Sequence, residues 1–227
     1  RVTALHFSPD GKLLATGGGH PSRSGEVKIW NVDNGSLVKA LTEPHSDAVC
    51  GLEFSPTGRY LATAGSDRFM KVWDWQAATL VKSYEGHTHH VLGVSWQRDE
   101  RVLASCGADN VVKVWNFVTG DQIRTIGGFN KEVTSIQFVP DPGKIEWMVC
   151  AAGDKQVRTA VTNNNNPNRG FGGAEDFVYM ARVTADGKTI IAGGQDGVIR
   201  LWNLDNAQVL GTIAPPAPQT TEVAGGE

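Results

Sequence analysis

The sequence predicts an all-β fold: five small four-stranded antiparallel sheets joined end to end as repeats. Three observations carry this. Tryptophan recurs at Trp30, Trp73, Trp115 and Trp202 with a spacing of about 42 residues per repeat, one intervening slot being filled by Ala160. The 227 residues include 27 glycines, more than a globular chain usually carries, which implies many tight turns. Between those turns lie short alternating runs of strand length.

Within a unit the strands follow in a fixed order. The first two are joined by Ser8-Pro9-Asp10-Gly11, Ser55-Pro56-Thr57-Gly58 or Ala185-Asp186-Gly187, hairpin turns in which Pro presets φ and Gly accepts a positive one. The second strand (13–16, 60–64, 102–106, 190–193) is apolar and small, as a strand packed on both faces must be. In the third, Lys71-Val72-Trp73 and Lys113-Val114-Trp115 place the cation and the ring on one parity and the aliphatic on the other, as do Lys28-Ile29-Trp30 and Arg200-Leu201-Trp202. The fourth (37–41, 80–84, 122–126, 208–213) is the more polar outer edge, entered through turns such as Asn34-Gly35 and Thr119-Gly120.

A four-stranded sheet of this size cannot cover both its faces, and radial stacking solves that. With its "FSPDGK", "LATAGSD" and "KVWD" elements, the chain resembles the WD-repeat β-propellers of bacterial type over residues 2–213, with five repeats. The implied blades span about 2–44, 45–86, 87–128, 129–173 and 174–213, with 214–227 as a Pro-rich tail or linker. Arg1 opens the chain inside a strand, so a longer parent is expected. Two further blades completing a seven-bladed ring, self-closure of five blades, and two chains completing one another are the alternatives for closure.

The resemblance implies a hydrogen-bonded set in each blade: His before the first strand, Ser or Thr on the second, Asp in the turn before the third, and Trp on the third. Carried over by position, blade two supplies His45, Thr63, Asp67 and Trp73, and blade three His87, Ser105, Asp109 and Trp115. Blade one keeps Thr16 and Trp30, with Ser24 at the Asp slot. Blade five keeps Asp196 and Trp202, with Ala174 and Ala192 at the other two. Blade four has Phe129, Cys150 and Ala160 and retains only Asp154. A buried Trp contributes about 4–6 kcal/mol before entropy, so blade four is expected to be the weakest. Its Asn-rich stretch, 163–173, predicts a loose or missing outer strand.

Composition excludes several functions. The net charge of −3 argues against nucleic acid as partner, and no run approaches the ~18 apolar residues that direct membrane insertion requires. Cys50, Cys106 and Cys150 lack any metal or disulfide spacing and read as three buried thiols; the cytoplasm is favoured over the periplasm or secretion. His87, His89 and His90 lie close together, but His87 belongs to its blade and no acid or thiol at ligand spacing joins the other two. Recurrence of the Asp and His residues at one repeat position argues for architecture rather than catalysis. No catalytic residue, metal or cofactor is therefore expected.

Non-repeating residues on the face carrying the loops between blades are the candidate partner-binding rim: Arg23, Arg68, Phe69, His89, His90, Asn110, Lys155 and Gln156, with Phe69 read as an exposed anchor. The family resemblance implies a non-catalytic scaffold for other proteins. The alternatives are a ligand-binding or enzymatic propeller, and an accessory module of a larger bacterial multidomain protein whose further domains would be its partners. The enzymatic reading needs unique polar groups on the innermost strands, where His6, Glu53, Ser95, Gln137 and Arg182 instead share one slot and read as packing or solvent contacts.

Overall fold

The computed structural model describes residues 1–216, so most of the 214–227 segment lies outside the described residues. The chain forms five four-stranded antiparallel sheets in sequence order. Blade one is β1 (Val2–Phe7), β2 (Leu13–His20), β3 (Ser24–Asn31) and β4 (Leu37–Leu41). Blade two is β5 (Val49–Phe54), β6 (Tyr60–Gly65), β7 (Met70–Asp74) and β8 (Thr79–Tyr84). Blade three is β9 (Val91–Trp96), β10 (Val102–Gly107), β11 (Val112–Asn116) and β12 (Gln122–Ile126). Blade four is β13 (Val133–Phe138), β14 (Trp147–Ala152), β15 (Gln156–Val161) and β16 (Arg169–Phe171); blade five is β17 (Val178–Val183), β18 (Thr189–Gly194), β19 (Ile199–Asn203) and β20 (Val209–Ile213). A single 3₁₀ turn, Pro142–Lys144, is the only helical element described, and no helix is long and apolar enough to cross a membrane.

Local chemistry explains the turns. Ser8 Oγ donates to Asp10 at 2.6 Å and accepts from the Leu13 amide at 2.9 Å, which closes the first hairpin. Thr184 and Asp186 repeat the arrangement at 2.6 Å. Gly11, Gly58 and Gly187 take φ values of 71°, 75° and 70° there, a conformation that costs other residues steric strain. At the opposite end, Asn31, Asn116 and Asn203 each accept two backbone amides, a turn that reverses the chain into the outer strand.

The core lies between blades. The downstream face of each blade packs on the upstream face of the next, as where Ala62, Met70, Val72 and Tyr84 of blade two meet Val91, Val94, Trp96, Leu103 and Trp115 of blade three. Five blades do not close upon themselves in this way. Phe7 is 51% exposed whereas its counterpart Phe54 is 2% exposed, and Ile213 is 60% exposed against 2% for Tyr84. Both terminal faces, bearing the side chains that bury elsewhere, are uncovered.

Blade four departs from expectation in an informative way. Its outer strand is short rather than missing, three residues pairing Phe171 with Val157. Thr159 stands where the other blades carry Ile29, Val72, Val114 and Leu201, and its buried hydroxyl has no hydrogen-bond partner. Thr159→Val should therefore stabilise the fold by about 1 kcal/mol, since the two side chains have the same shape and an unpaired buried hydroxyl costs at least that. A urea titration monitored by tryptophan fluorescence would show a higher midpoint with an unchanged slope; a lower midpoint contradicts the assignment.

Candidate functional site

In blade two a chain of donors runs from ring to carboxylate. Trp73 Nε1–H donates to Thr63 Oγ1 at 3.2 Å, Thr63 Oγ1 meets His45 Nε2 at 2.8 Å, and His45 Nδ1 meets the two Asp67 oxygens at 2.9 and 3.0 Å. A neutral His45 satisfies every member: it accepts at Nε2 from Thr63 and donates at Nδ1 to Asp67. Burial holds its pKa below the usual imidazole value despite the carboxylate. Burial alone would raise Asp67, but the hydrogen bond and charge of His45, with the amides of Phe69 and Ser46, outweigh it and lower its pKa. Blade three repeats the chain with Trp115, Ser105, His87 and Asp109 at 2.8, 2.8 and 2.9 Å. Gly65 and Gly107 leave the room for it: a Cβ on Gly65 would stand 2.4 Å from His45 Nδ1.

The other blades depart from this arrangement. In blade one Trp30 Nε1 donates to Thr16 Oγ1 at 2.9 Å, without His or Asp. In blade four Arg158 makes two bonds of 2.8 Å to Asp154 while lying 5.3 Å from the centre of the Phe129 ring. In blade five Arg200 pairs with Asp196 at 2.7 Å, beside a buried Trp202 that has Ala192 in place of the hydroxyl partner. Arginine on the third strand thus does the work of the missing His. The signal was readable, since both arginines lie four residues after their Asp, but the family pattern drew attention to the His slot instead.

Rim residues do not converge. Arg68, Asn110 and Lys155 occupy one turn position, with φ of 74°, 63° and 69°, and Gly197 takes the same place in blade five at 71°. This is a repeated conformational slot, contrary to the expectation that these residues are free of the repeat. Lys155 donates to the Glu175 carbonyl at 2.8 Å, and Gln156 and Asn110 are half-buried. His89 and His90 are exposed and in contact with each other, with ring centres 4.4 Å apart, away from the buried His87. Among the described residues no group of three or more His, Cys, Asp or Glu side chains is arranged to hold a metal ion. Of the three thiols, Cys106 and Cys150 are buried as expected, whereas Cys50 is half-buried against Ser66.

Arg23 and Phe69 do share a site. They line a groove of about 600 Å³ between blades one and two, with Glu43, Lys71, Leu80 and Ser83. Phe69 is half-buried rather than exposed, its ring 5.9 Å from Lys71 Nζ, and Lys71 in turn donates to the Pro44 carbonyl at 2.8 Å. Glu43, Lys71, Leu80 and Ser83 escaped sequence reading because they lie on ordinary repeat positions; only stacking of two blades brings them to one groove.

The innermost strands carry a polar belt. The amides of Phe54, Trp96, Phe138 and Val183 donate to His6 Nδ1, Glu53 Oε1, Ser95 Oγ and Gln137 Oε1 at 3.3, 2.9, 3.0 and 2.8 Å. In the first four blades the slot residue accepts from the next blade, so the repeated polarity has an architectural cause. Burial raises the Glu53 carboxyl to about 7. Because that value lies above the unfolded one, folding retains a proton that the unfolded chain releases, and stability falls as pH rises from about 4.5 through 7. Glu53→Gln keeps the acceptor without the charge, so it should match the wild type near pH 5 and exceed it above pH 8 in urea unfolding; a constant difference across that range would refute this.

Comparisons with known proteins agree with the geometry. The family model for the WD domain, G-beta repeat, matches residues 1–31, 35–74, 78–116 and 165–203. It passes over most of blade four, where His, Ser or Thr, and Trp are all replaced. Transducin beta-like protein 3 of Bos taurus is 24% identical over 223 residues, covering 98% of this chain and 22% of its own length. The U4/U6 small nuclear ribonucleoprotein PRP4-like protein of Arabidopsis thaliana is 36% identical over 85 residues, which is 37% of this chain and 14% of the relative. Target of rapamycin complex subunit wat1 of Schizosaccharomyces pombe is 31% identical over 86 residues, 37% of this chain and 26% of the relative. The chain thus spans about a quarter or less of the length of these curated relatives. Five stacked four-stranded blades and four matches to the repeat model show that the chain belongs to the WD-repeat family.

Proposed function

We propose that the chain is a non-catalytic interaction platform for other proteins, and that the groove between blades one and two is its principal contact. The observation that carries this is that Arg23 and Phe69, from two different loops, line one cavity of about 600 Å³. Neither side chain serves the hydrogen-bonded sets of its blade, and aromatic and arginine side chains dominate interface energetics. Two relatives are named as a complex subunit and a ribonucleoprotein component, which supports assembly with other macromolecules as the general role. The polar slot of the inner strands, which an enzymatic propeller would use for chemistry, is occupied in four blades by bonds between blades.

Photo-crosslinking residues placed at positions 23 and 68 should capture a protein partner, whereas one at position 123, exposed on the outer strand of blade three, should not. Arg23→Glu with Phe69→Ala should weaken that partner's binding at least tenfold with the melting temperature lowered by no more than a few degrees. Unchanged binding by the double variant would move the contact elsewhere.

A further inference from the structure

One cation of the third strands stands apart from its counterparts. Lys28, Lys71, Lys113, Arg158 and Arg200 hold the same register place in the five blades. Four of them meet a side-chain oxygen. Lys28 bonds Glu26 at 3.2 Å, Arg158 and Arg200 bond Asp154 and Asp196 at 2.8 and 2.7 Å, and Lys113 donates to Gln122 Oε1 and Thr125 Oγ1 at 3.1 Å each. Among the described residues Lys71 has only the Pro44 carbonyl, at 2.8 Å. An ammonium carries three N–H donors, so two are left without a protein acceptor on a half-buried side chain.

Strand register explains the difference. In blade three Thr125 lies opposite Lys113 and Gln122 opposite Trp115; the same pairings in blade two put Ser83 opposite Lys71 and Leu80 opposite Trp73. Leu80 has no acceptor to offer, so the bridge that Gln122 makes to its lysine is missing where the groove of about 600 Å³ lies. Both sheets that build this groove have all four strands. Arg23 lines it from the loop between β2 and β3, and its guanidinium has no partner among the described residues. Asp67 also lines it, but its oxygens already accept from His45 and from the Ser46 and Phe69 amides. Glu43 is the remaining acid, exposed and unpaired among the described residues. Two unpaired cations against one unpaired carboxylate leave the groove with an excess of one positive charge.

We propose that the groove between blades one and two takes an acidic side chain of a partner protein, with its carboxylate on Lys71 and an adjoining apolar side chain against Leu80 and Phe69. The proposal rests on the interaction-platform reading and names the chemistry of that contact. Lys71 is already held by the Pro44 carbonyl and lies 5.9 Å from the Phe69 ring, so binding orders it at a smaller entropy cost than a mobile surface lysine. The Ser83 hydroxyl opposite it adds a neutral donor. Leu80 is 47% exposed, an apolar wall that a free small acid would leave uncovered. A singly charged carboxylate matches the excess charge of the groove; a phosphoryl group, with nearly two negative charges, would set one of them against Glu43 uncompensated.

The test is isothermal titration with the N-acetylated, C-amidated peptide serine-leucine-glutamate-leucine-serine, against the same peptide with glutamine or phosphoserine in place of glutamate. The glutamate peptide should bind at least tenfold more tightly than either. Lys71→Met, which keeps the apolar stem, should weaken it at least tenfold. Leu80→Gln, which installs the blade-three acceptor beside Lys71, should weaken it by a similar factor with an unchanged melting temperature, so loss of binding is read apart from loss of fold. No measurable binding of the glutamate peptide, equal binding of the glutamate and glutamine peptides, or wild-type affinity in either variant overturns the proposal. Tighter binding of the phosphoserine peptide overturns the assignment to a carboxylate. Capture of a partner at positions 23 and 68 without a preference for glutamate would sink this chemistry and leave the platform reading standing; glutamate binding without capture of a partner would do the reverse.

Discussion

Trp115→Ala is expected to destabilise the fold by about 3–5 kcal/mol, the range for deleting a large buried aromatic. Trp115 is 3% exposed, donates to Ser105 Oγ at 2.8 Å, and lies 5.3 Å from the Tyr84 ring across the boundary between blades two and three. Its removal would leave a cavity between two rigid sheets, which cannot collapse onto each other without breaking the belt near the channel. Trp30 is the internal control. It makes the same bond to Thr16 at 2.9 Å but sits on the uncovered upstream face of blade one and is only half-buried. Trp30→Ala should cost less than half as much in urea denaturation. Equal losses would mean that the hydrogen bond, rather than packing between blades, is the dominant contribution.

Asp67→Ala should cost about 2–4 kcal/mol near pH 7. The carboxylate accepts from His45 Nδ1 and from the amides of Ser46 and Phe69 at 3.0 and 3.2 Å, and the His45 side chain is fully buried. Truncation strands that imidazole N–H without water or partner, and charge-assisted bonds of this kind cost more to lose than neutral ones. The pH dependence follows from the two directions of shift. Asp67 is lowered, so its contribution is present above the unfolded pKa of about 3.8 and lost as pH falls through the folded one. His45 is also lowered, so below about 6.5 the unfolded chain gains a proton that the folded chain refuses, and stability falls further. Unfolding free energies measured from pH 8 down to 3 should thus converge between wild type and Asp67→Ala at the acid end. Asp67→Asn, which keeps an acceptor for His45, should lie between them. Parallel curves would remove the carboxylate from the linkage.

What the sequence determined was everything that repeats within a unit. The spacing of Trp30, Trp73 and Trp115, the Pro and Gly of the hairpin turns and the alternation of Lys71-Val72-Trp73 are local, because strand pairing and turn geometry depend on residues a few positions apart. Blade four shows the limit of that reading: its departures from the pattern were visible, yet the pairing of Arg158 with Asp154 that accompanies them was not anticipated. Tertiary structure decided what happens between units. That Glu53 serves the Trp96 amide, that Arg23 and Phe69 share a groove while His89 and Lys155 lie apart, and that Phe7 and Ile213 remain uncovered all depend on which blade stacks on which. Apolar burial is non-directional, so an alternating strand specifies that a face must be covered but not by what. The coverage emerges only when the sheets are set side by side.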